Sequence, residues 1–233
     1  LNGRVLHRGA RRGRLGAMLL SMALASMLDE TGAEYGSMFT VRELKERLCY
    51  VSQDPRLARQ CVLERGLQAP HPTLVDEAVY KGPDFSTVEG EGTYRLDRER
   101  FMVPELLFSP QWTHGGVGAS VQDIVARSMA WAHERHGGGT APGTAPWYTR
   151  VVVCGGSSGF PGLRQRLERE LRAAAPEALR QWITVAEPPI NANGSSQWSA
   201  WLAAKTIAET SQFEERWCTT PEVFASAGER ALL

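Results

Sequence analysis

A glycine-rich turn between a predicted strand and a predicted helix is the segment best suited to approach a ligand. Residues 151–154 read Val-Val-Val-Cys, typical of a buried strand, and run directly into residues 155–162, Gly-Gly-Ser-Ser-Gly-Phe-Pro-Gly. Glycines let a ligand come close to the backbone, and the following helix begins with free N–H groups. The turn lacks the spacing of a Walker loop or of a dinucleotide site. It predicts a nearby ligand, with a purely structural turn as the alternative.

A second group of candidate residues is charged and lies on a predicted amphipathic helix. In residues 39–50 the apolar positions recur at helical spacing, with charges between them. Arg42, Lys45 and Glu46 are three and four residues apart, so they share one face of that helix. Such a face can line a ligand site, and a merely solvated face is the alternative.

The sequence shows no pattern of a metal site or of a catalytic nucleophile. His133 and His136 could meet on one helical turn, but no Cys or acidic ligand stands at a suitable spacing. The four cysteines are scattered, which fits a reducing compartment and predicts buried apolar filler. We expect no metal ion, no catalytic residue and no enzymatic activity from this chain.

Helices and strands that could position these residues alternate most clearly in the second half, which indicates an α/β fold. Helices are predicted at residues 57–64, 101–110, 117–133, 163–171 and 199–210, and strands at 73–80, 93–96 and 183–185. Pro104 suits the first turn of the second of these helices. The apolar residues 15–28 follow a basic stretch and are too short to span a membrane. They predict either a targeting signal or, as we favour, a buried helix whose core face includes Leu15, Leu19, Met22 and Leu24.

The composition excludes several classes of protein. The chain has 233 residues, enough for one large or two modest domains, with 26 basic and 26 acidic residues and 42% hydrophobic residues. This is an ordinary globular composition. A zero net charge argues against a protein that mainly grips nucleic acid or anionic lipid, so we expect no membrane partner and no direct DNA binding.

Four ordered segments carry a family resemblance. Residues 41–51 read V-R-E-L-K-E-R-L-C-Y-V, residues 97–108 read D-R-E-R-F-M-V-P-E-L-L-F, the glycine turn ends in P-G, and Ser199-Ala200-Trp201 precedes Phe213 and Trp217. In this order they resemble the helix V-R-x-x-K-E-x-L-C-Y-V, the segment E-R-F-x-x-P-E-x-L-F, the G-G-x-x-x-x-P-G turn and the closing S-x-W and F-x-x-x-W region of actin and actin-related proteins.

The resemblance implies the α/β fold shared by actin, sugar kinases and Hsp70-type ATPases, of which this chain would be the carboxyl-terminal half. Residues 1–112 would form a small mixed subdomain like actin subdomain 4. Residues 113–197 would form an α/β subdomain like subdomain 3, carrying the glycine turn. Residues 198–233 would be terminal helices that return to the other lobe, like subdomain 1.

The same resemblance implies an adenine nucleotide site. Arg42, Lys45 and Glu46 correspond to residues beside the adenosine. Four residues of the turn would close over the base and ribose: Gly155, Gly156, Gly159 and Phe160. ATP or ADP would be the cofactor, with Mg²⁺ held by the amino-terminal half.

Two departures from the family pattern imply weakened nucleotide binding without turnover. Gln197-Trp198 replaces the lysine that commonly stands beside the adenine, after a polar insertion at residues 191–196. Ala203-Ala204 replaces a glycine pair. The methyl group of each alanine occupies space through which a ligand could otherwise approach the backbone.

Two shorter segments, residues 50–53 and 83–88, are more similar in sequence to the actin-related protein six branch than to conventional actin. That likeness implies a structural subunit of a nuclear complex that exchanges a variant histone into nucleosomes. Its partners would be other subunits of the complex, with histones or the nucleosome contacted indirectly. The alternatives are a filament-forming cytoskeletal protein in the cytoplasm and, less favoured, a small-molecule kinase of the same fold.

Overall fold

The computed structural model describes residues 5–56, 78–84, 90–112, 118–137, 146–149, 151–186, 198–214 and 218–228. The helices within these ranges are α1 (Ala17–Thr31), α2 (Met38–Leu48), α3 (Glu99–Glu105), α4 (Val121–His136), α5 (Pro146–Thr149), α6 (Leu163–Ala174), α7 (Glu177–Arg180), α8 (Ser199–Ala208) and α9 (Pro221–Ala227). The strands are β1 (Ala78–Asp84), β2 (Gly90–Leu96), β3 (Val151–Val152) and β4 (Val185–Ala186).

The apolar run near the amino end forms the buried helix α1, which ends where Gly32 adopts a left-handed backbone conformation with φ of 71°. Its core face is made by Leu20, Leu24 and Leu28, which are four residues apart. The predicted face was wrong in part, because Leu19 is 43% exposed and Met22 is 55% exposed. Both lie on the opposite side of the same helix.

Helix α2 confirms the predicted amphipathic helix. Ser37 is its N-cap, accepting a hydrogen bond from the Thr40 N–H at 3.4 Å, a length at the weak end for such a contact. Val41 and Leu44 are completely buried. The helix thus turns one apolar side to the core and keeps a charged side for the site described below.

The strands form two small sheets in the described ranges. β1 and β2 form an antiparallel hairpin in which Ala78 pairs with Leu96, and β3 and β4 are parallel, with Val151 opposite Val185. The predicted strand before the glycine turn is therefore only two residues long, and Val152 is 53% exposed rather than buried. The predicted helix at residues 57–64 lies outside the described residues.

A single hydrophobic core runs through both of the first two predicted subdomains. It joins Leu20, Leu44 and Phe108 from the first range with Leu167 and Ile183 from the second. The hydrophobic packing is continuous across residue 112. The division of the chain into two subdomains at that residue stays a prediction.

Glu105 at the end of α3 and Arg166 on α6 form an ion pair inside the protein. Two hydrogen bonds of 2.8 and 2.9 Å join the guanidinium to the carboxylate, and the side chains are 0% and 3% exposed. Arg166 also donates to the Ser52 carbonyl oxygen at 3.0 Å and lies over the Phe108 ring. Three separate segments therefore meet at one buried arginine.

The terminal helices pack least. Neither α8 nor α9 has a buried residue, and Trp198, Trp201 and Phe224 are all exposed. The expectation that these helices belong against another lobe stays a prediction. In the part of the chain that the structure describes, no helix is long and apolar enough to cross a membrane.

Candidate functional site

A cavity of about 900 Å³ lies between the two segments that the sequence singled out. Its walls are the start of α1, the charged side of α2, the glycine turn and the start of α6. The lining residues are Ala17, Met18, Ser21, Met38, Phe39, Arg42, Lys45, Glu46, Gly156, Ser157, Ser158, Gly159, Phe160, Pro161, Gly162, Arg164 and Gln165. This volume is at the upper end of the range for small-molecule sites.

The α2 wall presents a charged pair beside apolar surface. Arg42 Nε donates to Glu46 Oε1 at 2.8 Å across one helical turn, and both side chains are largely exposed. This pair raises the pKa of Arg42. Phe39, 71% exposed, and the exposed Met38 stand one turn earlier on the same helix. The wall can therefore contact a flat apolar ring and hydrogen-bond its polar edge.

Lys45 lines the cavity but is committed to the protein interior. The residue is only 4% exposed, and its Nζ donates to the Ala17 carbonyl oxygen at 3.0 Å and to Ser21 Oγ at 2.8 Å. Burial lowers the pKa of its ammonium group. The three charged residues predicted on one face of α2 therefore differ in their exposure to solvent. Lys45 joins α2 to α1, while Arg42 and Glu46 remain at the surface.

The glycine turn forms the opposite wall. Gly155 has φ of 92°, a conformation that favours glycine, and its carbonyl oxygen accepts from the Ser158 N–H at 3.0 Å and from Ser158 Oγ at 2.6 Å. Residues Gly156–Gly159 form a 3-10 turn, and a Cβ built on Gly156 or Gly159 would meet nothing within 4 Å. The turn therefore exposes bare backbone to the cavity.

Hydrogen bonds hold the two walls at a fixed separation. Val51 N–H donates to the Pro161 carbonyl oxygen at 2.8 Å, and Gln53 Nε2 donates to the Gly162 carbonyl oxygen at 2.9 Å. A Cβ on Gly162, whose φ is 83°, would lie only 2.6 Å from the Val51 carbonyl oxygen. Glycine is required here by both conformation and space.

Six of the seven predicted site residues line one cavity, although they come from segments more than 100 residues apart. The exception is Gly155, which shapes the turn and does not line the cavity. Whether these residues bind nucleotide stays a prediction. Gln197 lies outside the described residues, and Ala203 and Ala204 are exposed on α8.

Sequence reasoning missed the α1 wall and the residues that join the walls. Met18 and Ser21 were assigned only to a buried helix, and Gln53 entered only through the family likeness of residues 50–53. No spacing rule connects α1 or Gln53 with the glycine turn, so no local signal could have found them. The described residues contain no group of three metal-ligating side chains.

The chain is similar to known proteins over most of its length. The family model of actin matches residues 28–228. The chain is 33% identical to actin-related protein 8 of Oryza sativa subsp. indica over 224 residues, covering 95% of this chain and 40% of the relative. It is also 33% identical to actin-related protein 8 of Arabidopsis thaliana, covering 96% and 42%. It is 28% identical to actin-related protein 6 of Drosophila melanogaster, covering 91% and 52%.

These matches confirm the predicted family and its ATPase fold. The chain spans about 40 to 50% of the length of these curated relatives. They represent two branches of the family, actin-related protein 8 and actin-related protein 6. The resemblance first read from four short segments thus extends over most of the sequence, including the helix and glycine turn that enclose the cavity. The chain belongs to the actin family.

Proposed function

We propose that this chain supplies the adenosine-side wall of a nucleotide site in an actin-related protein that binds ATP or ADP without turning it over. The observation that carries the proposal is the cavity bounded by α2 and the glycine turn. Phe39 and Met38 offer apolar surface for a base, and the exposed Arg42–Glu46 pair offers polar contacts at its edge.

The role of bound nucleotide would be structural. A ligand that binds only the folded state raises the free energy of unfolding by mass action. The described residues hold no metal-ligating cluster, so Mg²⁺ and the phosphates would be held by residues outside them. The chain on its own should therefore bind adenosine or ADP weakly, with Kd near 1 mM, or about −4 kcal/mol.

The binding proposal is tested by titrating ADP and adenosine into the purified chain and following nuclear magnetic resonance shifts. Gly156→Leu and Gly159→Leu place a side chain in open cavity space without backbone strain. We expect each to abolish the shifts caused by the ligand. The control is Ala225→Leu, which adds similar bulk on the exposed surface of α9, away from the cavity, and should leave binding unchanged.

Failure of wild type to respond, or an equal response of the glycine variants, would refute the nucleotide site. Phosphate release from ATP is measured with the same samples, and we expect it to equal the buffer blank. Turnover above the blank that is lost in Glu46→Gln would show that the chain is an enzyme after all.

In the cell, we propose a structural subunit of a nuclear chromatin-remodelling complex that exchanges a variant histone into nucleosomes. Its support is the likeness to actin-related protein six in residues 50–53 and 83–88, together with the match to the Drosophila protein of that branch. Purification of the tagged native protein from nuclei should bring down a multi-subunit complex with histone-exchange activity. Sedimentation as filaments under polymerising conditions would instead favour the cytoskeletal alternative.

A further inference from the structure

The amino end of this chain has an excess of positive charge. Residues 1–28 contain five arginines and no Asp or Glu, so the other 205 residues have a formal net charge of −5 although the total is zero. The expectation against direct DNA binding rested on that total. Electrostatic attraction acts over about 10 Å at 0.1 M salt, so the local charge decides what this end of the molecule attracts.

Residues 8–14, which we call the arginine strap, are fastened to α4 at Gly9. Ser128 Oγ donates to the Gly9 carbonyl oxygen at 2.7 Å. A Cβ built on Gly9 would lie 2.6 Å from Cε3 of Trp131, so only glycine allows the backbone this close to the indole ring. The amino end of the strap therefore has a definite place on the protein.

A second close contact lies further along the strap. A Cβ on Gly13 would come within 2.8 Å of Ile124 Cδ1. Ile124, Ser128 and Trp131 are spaced by four and three residues and so share one face of α4. The strap runs along this face, hydrogen-bonded to it at Gly9 and lying close to Ile124 at Gly13, with its arginines between and beside these glycines.

The arginines of the strap face solvent. Exposed guanidinium groups belong to Arg8, Arg11, Arg12 and Arg14, and to Arg127 on α4, next to the Ser128 contact. Within the described residues, none of these arginines forms an ion pair with a carboxylate. Arg11 Nη1 donates instead to the backbone oxygens of Arg8 and Ala10, at 2.8 and 3.0 Å. Planar guanidinium groups of this kind pair well with phosphate oxygens.

Aromatic rings continue from the strap along the same surface. The half-buried Trp131 under Gly9 meets the exposed His136 ring edge-on at a centroid distance of 5.6 Å, and His136 meets Trp147 at 5.7 Å. Nucleobases stack on such rings next to cationic grooves. An acidic polypeptide would use the arginines but has no need of an aromatic platform. The exposed acidic side chains Asp123 and Glu134 of α4 are outnumbered by the five arginines.

We propose that this surface binds a nucleic acid: the arginine strap and Arg127 contact the phosphodiester backbone, and the aromatic row Trp131–His136–Trp147 stacks on unpaired bases. The surface consists of the strap, α4 and α5, whereas the nucleotide cavity is lined by α1, α2, the glycine turn and α6. The two proposals can therefore fail independently.

The test is fluorescence anisotropy with labelled single-stranded and duplex DNA of about 20 nucleotides, across 50 to 200 mM salt. The strap variant combines Arg8→Gln, Arg12→Gln and Arg14→Gln. The control variant combines Arg47→Gln, Arg56→Gln and Lys205→Gln, which remove the same charge from exposed sites elsewhere. Thermal unfolding of both variants should match that of wild type.

We expect the strap variant to bind duplex DNA at least about tenfold more weakly, with a salt slope smaller by about 3, since each phosphate contact contributes about 0.9. The control should change affinity less than about twofold. The variant His136→Ala distinguishes the binding of single-stranded DNA from the binding of duplex DNA. It should weaken the binding of single strands selectively, because only unpaired bases can stack on the row. Unchanged binding of single strands would show that the aromatic row takes no part and would overturn that part of the proposal.

No binding by wild type at low salt, or equal losses in the strap and control variants, would overturn the proposal. Polyglutamate and anionic vesicles are titrated in parallel. If either binds as tightly as DNA with the same dependence on the strap, the surface recognises an acidic polypeptide or a lipid and the nucleic-acid assignment is wrong.

Discussion

The cysteines show how far a residue's environment can depart from its ordinary chemistry. All four were expected to be buried filler, and the structure confirms this for Cys49 only. Cys154 and Cys218 are exposed, and Cys61 lies outside the described residues. Burial raises the pKa of the Cys49 thiol from 9.0 to about 12. Because the thiolate is the nucleophile, Cys49 should be inert in the folded protein.

Alkylation at pH 8 followed by peptide mapping checks this prediction. Cys154 and Cys218 should react in the native protein, and Cys49 only after denaturation in urea. Modification of Cys49 at the same rate as the exposed cysteines would contradict its buried environment.

The pKa of Cys49 also predicts a pH dependence of stability. The folded-state pKa lies above the unfolded value, so the stabilising contribution of the protonated thiol is complete below about pH 9 and falls as the pH rises towards 12. The stability advantage of wild type over Cys49→Ala should therefore shrink across this range in urea unfolding. A difference that stays constant up to pH 12 would contradict it.

At the scale of elements, the cavity depends on the junction between α1 and α2. The Lys45 ammonium group is buried and has two oxygen acceptors on α1, the Ala17 carbonyl and Ser21 Oγ. A buried charged donor that loses one acceptor costs about 1 to 3 kcal/mol. Lys45 therefore acts as a positioning residue for the α2 wall.

Ser21→Ala should lower the free energy of unfolding by about 1 to 3 kcal/mol in wild type, and by less in a Lys45→Met background, because the ammonium is then absent. Urea unfolding of the four proteins measures this coupling. Ser226→Ala, which removes an exposed hydroxyl on α9, is the control and should change stability by less than about 0.5 kcal/mol. Equal costs in both backgrounds would show that Lys45 and Ser21 do not act together.

At the scale of the whole molecule, the pair Glu105–Arg166 joins the first half of the chain to the second. Burial raises the pKa of the Glu105 carboxyl, and the hydrogen bonds and charge of Arg166 oppose that rise. Removing Arg166 leaves the Glu105 carboxylate buried without an opposite charge, which costs about 3 to 5 kcal/mol. Removing Glu105 costs less, because Arg166 Nε still donates to Glu170 Oε1 at 2.7 Å. The pair therefore makes the core sensitive to substitutions far from the cavity.

Arg166→Met should lower the free energy of unfolding by about 3 to 5 kcal/mol and Glu105→Leu by less, because Arg166 keeps its pair with Glu170 in the second variant. The double variant should recover most of the loss of Arg166→Met. Glu46→Gln, which breaks the exposed pair with Arg42, should cost no more than about 0.5 kcal/mol. Urea unfolding midpoints report all four variants. A double variant as unstable as the sum of the single ones would contradict the proposed coupling.

Local sequence patterns predicted which segments form helices better than they predicted which side of a helix is buried and where the helix begins and ends. The periodicity of residues 39–50 predicted α2, and Leu163, Leu167 and Leu171 predicted α6, because each helix has one strongly apolar side. The face of α1 was placed wrongly in part, since most residues of that helix are apolar and no polar stripe marks its outer side. Pro104 was expected in the first turn of its helix but lies in the last turn of α3.

Residue types and spacing were sufficient to predict the family, the charged side of α2 and the glycine turn, because these depend on short segments whose backbone and side-chain requirements are local. Only the folded chain brought α1, α2 and the glycine turn around one cavity, withdrew Lys45 from it and laid the arginine strap on α4. Those outcomes depend on contacts between segments more than 100 residues apart, such as Ser128 with Gly9, 119 residues away, and on which charges are buried. Desolvation and close packing are properties of the assembled molecule, and no stretch of sequence carries them alone.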